Sequence, residues 1–511
     1  MIISLSVLVI TIIVSGTYAL YKTQLSKNIG VNTTTHGLAY YINYVKGTDI
    51  TAATLNPSTS YEGGASSDIE FWKKDDSYDI YGKIELTVNT IGTNLSNSPA
   101  LKYAVVNNGN VLKEGSLKGT TSGSKVTILK NLYLEQTKQI YTVYVWLDNS
   151  EELGNISNES LSISVDCTAS LQKEPTAADT IISLYTSAAK VTATNNSITY
   201  NTAPSVSLMN DRLGGTTTDL DGGNIRYYGA NPNNYIYFNC SDYSNQTSST
   251  CETWRIIGVF DGKLKLIRGS QIGKYSWDNK NKSTGAENNS GKNDWTTARL
   301  MKLLNPSDYY TVDSNDNNLG QSLYYNSASG KCYSGQNNAT VDCDFTSTGI
   351  KNEETRNMIA ETTYNLGGWN TFTVYPNEIY EYERGTTVYT GRPTTPWTGK
   401  IALAYPSDYG YAADLNQCKD KTLYDYNNST CTSNNWMKAI ITNNGSNTGW
   451  LLTPFSRLSY YAWYVDSDGF VNYYNGACNA SGAVPVLSLS SELGIESGGD
   501  GSSSKPYKLS A

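Results

Sequence analysis

The stretch from Trp450 to Leu489, WLLTPFSRLSYYAWYVDSDGFVNYYNGACNASGAVPVLSL, interleaves two residue classes. Trp450, Leu451, Leu452, Pro454, Ala462, Trp463, Val465, Gly469, Val484, Pro485 and Leu487 are scaffold-type residues. Between them stand five tyrosines with Asn, Ser and Asp. A packed core has no need of that polar complement, whereas a ligand-contacting surface does. Tyr gives a large amphipathic area with few rotors, and Asn and Ser give adaptable hydrogen bonds, as in antibody paratopes. The segment therefore reads as a binding face on a fixed frame.

The rest of the composition agrees with a displayed protein. At 511 residues the chain has room for two or three domains with their own cores. Only 16% of residues are charged, against roughly 25% in an ordinary soluble domain. Polarity comes instead from Asn, Ser, Thr, Gly and 41 tyrosines, a mix suited to many short strands joined by turns. A net charge of −8 with no Lys/Arg stripe argues against nucleic acid as a partner. The lone histidine, His36, reads as a solvated strand-edge residue.

The apolar run Ile2–Val14 followed by Ser15, Gly16 and Thr17-Tyr18-Ala19 reads as a signal peptide or membrane anchor over residues 1–21. Either would tie the chain to a membrane at its N-terminal segment or carry it outside the cytoplasm, to the cell surface or beyond. The cysteines fit export. Cys240 with Cys251, Cys332 with Cys343 and Cys418 with Cys431 are close neighbours across polar, turn-rich loops, the spacing of local disulfides. Cys167 and Cys478 remain unassigned. Zinc knuckles are absent, and no metal or cofactor is expected.

Residues 28–169 read as an all-β sandwich. Ile80–Gly92 alternates apolar and polar residues, and Leu101–Gly115 is a hairpin turning at Asn108-Gly109. Lys125–Leu134, Ile140–Asp148 and Ser160–Cys167 add further strands. Residues 170–212 read as a linker with one short helix starting near Thr176. From 213 to 511 the pattern becomes α+β, with a hairpin at Asp261-Gly262 and helices expected over Asn293–Asn305, Asn352–Gly368 and Ser433–Thr442.

Four segments of this C-terminal part carry a resemblance: WRIIGVFDGKLKLIR from Trp254, WTGKIALAYPSDYGYAADLNQC from Trp397, NNWMKAIITNNGSNTGWLLTPFS from Asn434, and AWYVDSDGFVNYYNG from Ala462. Their order resembles C-type-lectin-like proteins of the branch that holds the formylglycine-generating enzyme and the variable proteins of diversity-generating retroelements. Similar blocks occur in exported surface proteins of gut Firmicutes and Mollicutes. The resemblance implies a C-type-lectin-like head whose variable positions gather on one exposed face. Here they would be Ser459, Tyr460, Tyr461, Tyr464, Asp466, Ser467, Asn472, Tyr473, Tyr474, Asn475 and Asn479. The implied partner is an extracellular protein or glycan, held by the five tyrosines with Asp466, Asn472 and Asn475 adding polar specificity. Relatives commonly carry an arginine before the last strand, where this chain reads Gly482-Ala483-Val484-Pro485-Val486-Leu487.

Catalysis finds little support. A Ser/His/Asp or Cys/His arrangement is blocked by the single, distant histidine. The cysteine site of formylglycine-generating relatives is not matched, because Cys478 has no second cysteine nearby. Asp408, Asp414, Asp466 and Asp468 are available as carboxylates but sit in no recognisable motif. Asp466-Ser467-Asp468-Gly469 and Asp313–Asn317 resemble the start of a calcium loop without continuing as one, and read as turns. Besides the binding protein, two alternatives stay open: a structural cell-envelope or pilus-like component, and an enzyme of the formylglycine-generating type.

Overall fold

The computed structural model describes residues 23–24, 38–51, 55–151, 153–156, 158–212, 223–280, 284–286, 289–306, 322–336, 338–385, 387–389, 392–393 and 396–510. The segment 1–21 expected to be a signal peptide or anchor, His36 and the segment 313–317 lie outside the described residues. The chain is mostly β-sheet with a few short helices, an α+β protein with sandwich-like sheets. It divides into two compact units, Met1–Glu174 and Pro175–Ala511.

The first unit holds a five-stranded and a six-stranded sheet, largely antiparallel. Alternation does the sorting: along Tyr81–Ile91, Gly82, Ile84, Leu86 and Val88 are buried and their neighbours are not. They meet Ile69, Phe71, Val143, Val145, Ile163 and Val165 in one core, which also holds the unpaired Cys167. The expected hairpin joins Leu101–Asn107 to Asn110–Ser116. Its turn residues Asn108 and Gly109 have φ of 50° and 77°, as a type I′ turn requires.

The second unit begins earlier than the sequence suggested. Residues 175–212 are not a linker but part of this unit. Thr176 caps the helix Ala177–Ser187 through a capping box with Asp179. Ala177, Ala178, Ile181 and Tyr185 on that helix enter the same core as Trp254 and Leu266. The Thr/Asn-rich stretch beyond supplies strands Val191–Asn195, Ile198–Ala203 and Leu208–Asn210, which extend a nine-stranded sheet. Their β-branched threonines favour strand, and sheet pairing overrides a loop-like composition.

That sheet runs on through Ile225–Tyr227, Glu252–Phe260, Lys263–Arg268, Val486–Ser488 and Ile401–Ala402. Asp261 (φ 48°) and Gly262 (φ 71°) make its hairpin turn. A five-stranded sheet orders Gly273–Ser276, Ala480–Ala483, Gly449–Pro454, Tyr461–Val465 and Val471–Gly476. The helices are shorter than expected. Asn293–Asn305 yields Arg299–Leu304, Asn352–Gly368 yields Glu353–Met358 and then a strand at Thr362–Tyr364, and Ser433–Thr442 yields Trp436–Ile441. Isolated helices of such length are marginal in water, so packing of one face decides their extent. The three expected disulfides are formed, and Cys478 is buried and unpaired.

Candidate binding surface

The segment 450–489 forms most of the five-stranded sheet, and Val471–Gly476 is its terminal strand. The sheet is buried on both faces. Leu451, Trp463, Val465 and Val471 enter one core, while Trp450, Leu452 and Ala462 enter another. Trp450 and Trp463 are therefore scaffold. Their neighbours are divided by the pleat and by one irregularity in it.

Tyr464 pairs with Asn472 and Ala462 pairs with Asn475, so Trp463 alone opposes both Tyr473 and Tyr474. This is a β-bulge, which sets two consecutive side chains toward the same side of an edge strand. Asn472 stabilises it, its Oδ1 accepting from the backbone N–H of Tyr473 at 2.7 Å and of Tyr474 at 3.2 Å. Tyr473 and Tyr474 thereby lie side by side, ring centroids 4.7 Å apart. Tyr473 goes inward, 7% exposed and stacked on Phe455 at 3.8 Å with planes 6° apart. Tyr474 stays outside at 60% exposure.

Around Tyr474 lies a continuous set of aromatic rings. It touches Tyr461 at 5.9 Å, and Tyr461 touches Tyr460 at 4.8 Å. On its other side Phe372 lies 5.5 Å away, then Tyr424 at 4.8 Å from Phe372, then Phe470 at 5.2 Å from Tyr424. Tyr424 is 41% exposed, and Tyr460, Tyr461, Phe372 and Phe470 are half-buried. Inclined ring pairs at these separations stabilise one another while leaving ring faces and phenol edges for a partner.

The frame beneath is fixed by buried polar groups. Asn293, fully buried, donates through Nδ2 to the carbonyls of Phe455, Leu458 and Tyr461 at 2.9, 2.9 and 2.6 Å, and its N–H donates to Ser459 O at 2.7 Å. That clamp holds the loop bearing Tyr460. Buried Tyr409 donates its hydroxyl to Gly469 O at 2.6 Å, fixing the turn between the two strands. Gly469 has φ of 103°, a conformation that favours glycine.

The predicted set divides. Tyr460, Tyr461 and Tyr474 come together at the surface. Tyr464 and Tyr473 do not belong with them. Tyr464 is 8% exposed, 6.3 Å from the Trp450 ring, and burial pushes its phenol up to about 12. Both are frame residues, placed inward by the pleat and the bulge. Asp466 and Ser467 are partly exposed in the turn, where Asp466 Oδ1 accepts from Ser467 Oγ and weakly from the Asp468 N–H. Ser459 is half-buried in the clamped loop. Asn475 and Asn479 bond to each other at 2.8 Å, and Asn479 reaches Gln336. Phe372, Tyr424 and Phe470 were not foreseen. Phe470 lay inside the informative segment, and its apolar ring beside a glycine turn was the available signal. Phe372 and Tyr424 arrive from distant loops that no local pattern connects.

The acids weighed for catalysis have structural roles. Asp414 accepts from the Asn416 N–H at 2.9 Å as a helix cap. Asp408 is fully buried between Arg226, at 2.9 Å, and Lys265, at 2.5 Å. Burial alone would raise its pKa, but the two cations outweigh it and hold the carboxyl below its ordinary value. Nearby Glu383 is buried too, and desolvation pushes it up to about 7 despite Arg384 and two hydrogen bonds from Ser407. Among the described residues no three His, Cys, Asp or Glu side chains gather as a metal-binding group. No protein-family model matches the chain, and no curated protein is found similar to it.

Proposed function

We propose that this is a surface-displayed binding protein, not an enzyme, and that its ligand is an extracellular glycan or protein held on the aromatic face around Tyr474. In this reading the Pro175–Ala511 unit is a C-type-lectin-like head. The Met1–Glu174 sandwich is a stalk, and the N-terminal hydrophobic segment serves export or anchoring. One observation supports the reading above others: six aromatic side chains from three separate stretches of chain converge beside an edge strand, with the Tyr474 ring the most exposed of them. Exposed, pre-ordered aromatic rings are what stacking recognition of sugars and anchoring of proteins require. The three disulfides are compatible with an extracellular location.

The test is binding of the full chain to a glycan array and to cultured epithelial cells. Tyr460→Ala, Tyr461→Ala and Tyr474→Ala together are expected to lower binding at least tenfold while circular dichroism shows the chain still folded at the assay temperature, the half-buried Tyr461 costing some stability. Undiminished binding by the triple variant would remove the site assignment. Retroelement diversification of this face is a separate claim, tested by looking in adjacent DNA for a near-copy of the coding segment differing at adenines.

A second reading has its own support. Val471–Gly476 is the terminal strand of its sheet, and such edges can pair with another copy. A structural envelope or pilus-like component would show concentration-dependent self-assembly in sedimentation experiments and no saturable binding to heterologous surfaces.

A further inference from the structure

None of the residues lining a groove of about 440 Å³ along the nine-stranded sheet belongs to the aromatic face. Arg255, Tyr235, Thr253, Arg268, Ser270 and Ile440 are among them. Arg255, on strand Glu252–Phe260, is 6% exposed. Its guanidinium carbon lies 3.6 Å from the centroid of the Tyr235 ring and 5.0 Å from that of Trp436. Nε donates to Asn234 Oδ1, and Nη2 donates to Pro232 O at 3.3 Å.

A guanidinium has five N–H groups. Three of them, including both on Nη1, have no hydrogen-bond partner among the described residues, and no carboxylate there lies within ion-pairing distance of Arg255. The acid at this groove, Glu252, is already committed. Its two oxygens accept from Arg268 Nε and Nη2 at 3.1 Å each, and Oε2 also accepts from Trp254 Nε1 at 3.0 Å. The groove thus carries two guanidiniums and one carboxylate that the other arginine occupies. Burial without a counter-ion pulls Arg255 down to about 10.

With rings against its faces, Arg255 offers a ligand its edge. That edge is a planar fork of N–H donors matching the two oxygens of a carboxylate. The groove volume lies in the range of small-molecule sites and exceeds what a carboxylate alone would fill. Tyr235 supplies a ring wall, and Thr253 and Ser270 supply hydroxyls suited to a polyhydroxy body. We propose that this groove binds a carboxylated sugar ring, its carboxylate on the Arg255 edge.

Calorimetric titration of the full chain at constant ionic strength tests this with sodium glucuronate, methyl glucoside and sodium acetate. Glucuronate should bind saturably, methyl glucoside not at all, and acetate at least tenfold more weakly. Arg255→Lys, which keeps the charge but loses the fork, should weaken glucuronate at least tenfold. Thr253→Glu should do the same without lowering the melting temperature, since residue 253 is exposed and two positions along the strand, where a carboxylate can pair with Arg255 internally. Tyr474→Ala should leave glucuronate binding unchanged, which separates this site from the aromatic face. No saturable glucuronate binding, equal affinity for acetate, or unchanged affinity in both substituted chains would each overturn the proposal.

Discussion

Tyr473 and Tyr474 are adjacent in sequence and opposite in role. Tyr473→Ala removes a ring stacked between Phe455 and Phe372, and should cost about 3–5 kcal/mol by the usual measure of large-to-small core changes. Tyr474→Ala should change stability by no more than about 0.5 kcal/mol, as surface substitutions do. Chemical denaturation of the two single variants distinguishes them. Composition alone could not separate this pair, because a period-two strand pattern assigns neighbouring residues to opposite faces without saying where a bulge interrupts it. A second residue-scale expectation concerns Glu383. Its carboxyl titrates at about 7 in the folded chain against an ordinary 4.5. Between these values the folded chain holds a proton that the unfolded chain has released. Stability is therefore greater at the acidic end and falls by about 3 kcal/mol as pH rises through 7. Asp278, also buried and raised to about 7, acts in the same direction. Melting temperature should rise on going from pH 8 to pH 5, and Glu383→Gln should flatten that slope.

The hairpin Tyr461–Val465/Val471–Gly476 and its neighbouring loop act as one presented element, and Asn293 is its fastener. Asn293→Ala would take the Nδ2 donor from the carbonyls of Phe455 and Leu458 and leave Tyr461 O only the Phe455 N–H, a cost of about 1–3 kcal/mol. Hydrogen exchange should then accelerate at residues 455–461 and stay unchanged in the Tyr81–Ile91 strand. Uniform acceleration would show that Asn293 supports the fold generally. Elements with a local code were legible in the sequence: the Asn-Gly and Asp-Gly hairpins, the Thr176 cap and the alternating sandwich strands. Helix lengths were not, since packing ends those helices before their sequence pattern does. The joining of Val191–Asn195 and its neighbours to a large sheet was equally hidden, being a matter of long-range pairing.

The two units differ in how they are stapled. All three disulfides lie in Pro175–Ala511, closing short loops that contribute roughly 2–4 kcal/mol each. Reduction should therefore lower the melting transition of that unit while leaving the sandwich transition in place, as calorimetry with and without reductant can show. Of the candidate site, the sequence revealed its address in the chain and its tyrosine content. It could not reveal the convergence of Phe372 and Tyr424 on Tyr474, which depends on loops folded from about fifty to one hundred residues away. All of this rests on an outward aromatic patch carried by an inward aromatic frame, and hydroxyl-radical footprinting of the intact chain measures that division ring by ring. Tyr474, Tyr460 and Tyr424 should oxidise rapidly while Tyr464, Tyr473 and Trp463 are protected; rapid oxidation of Tyr464 and Tyr473 with Tyr474 protected would contradict the account.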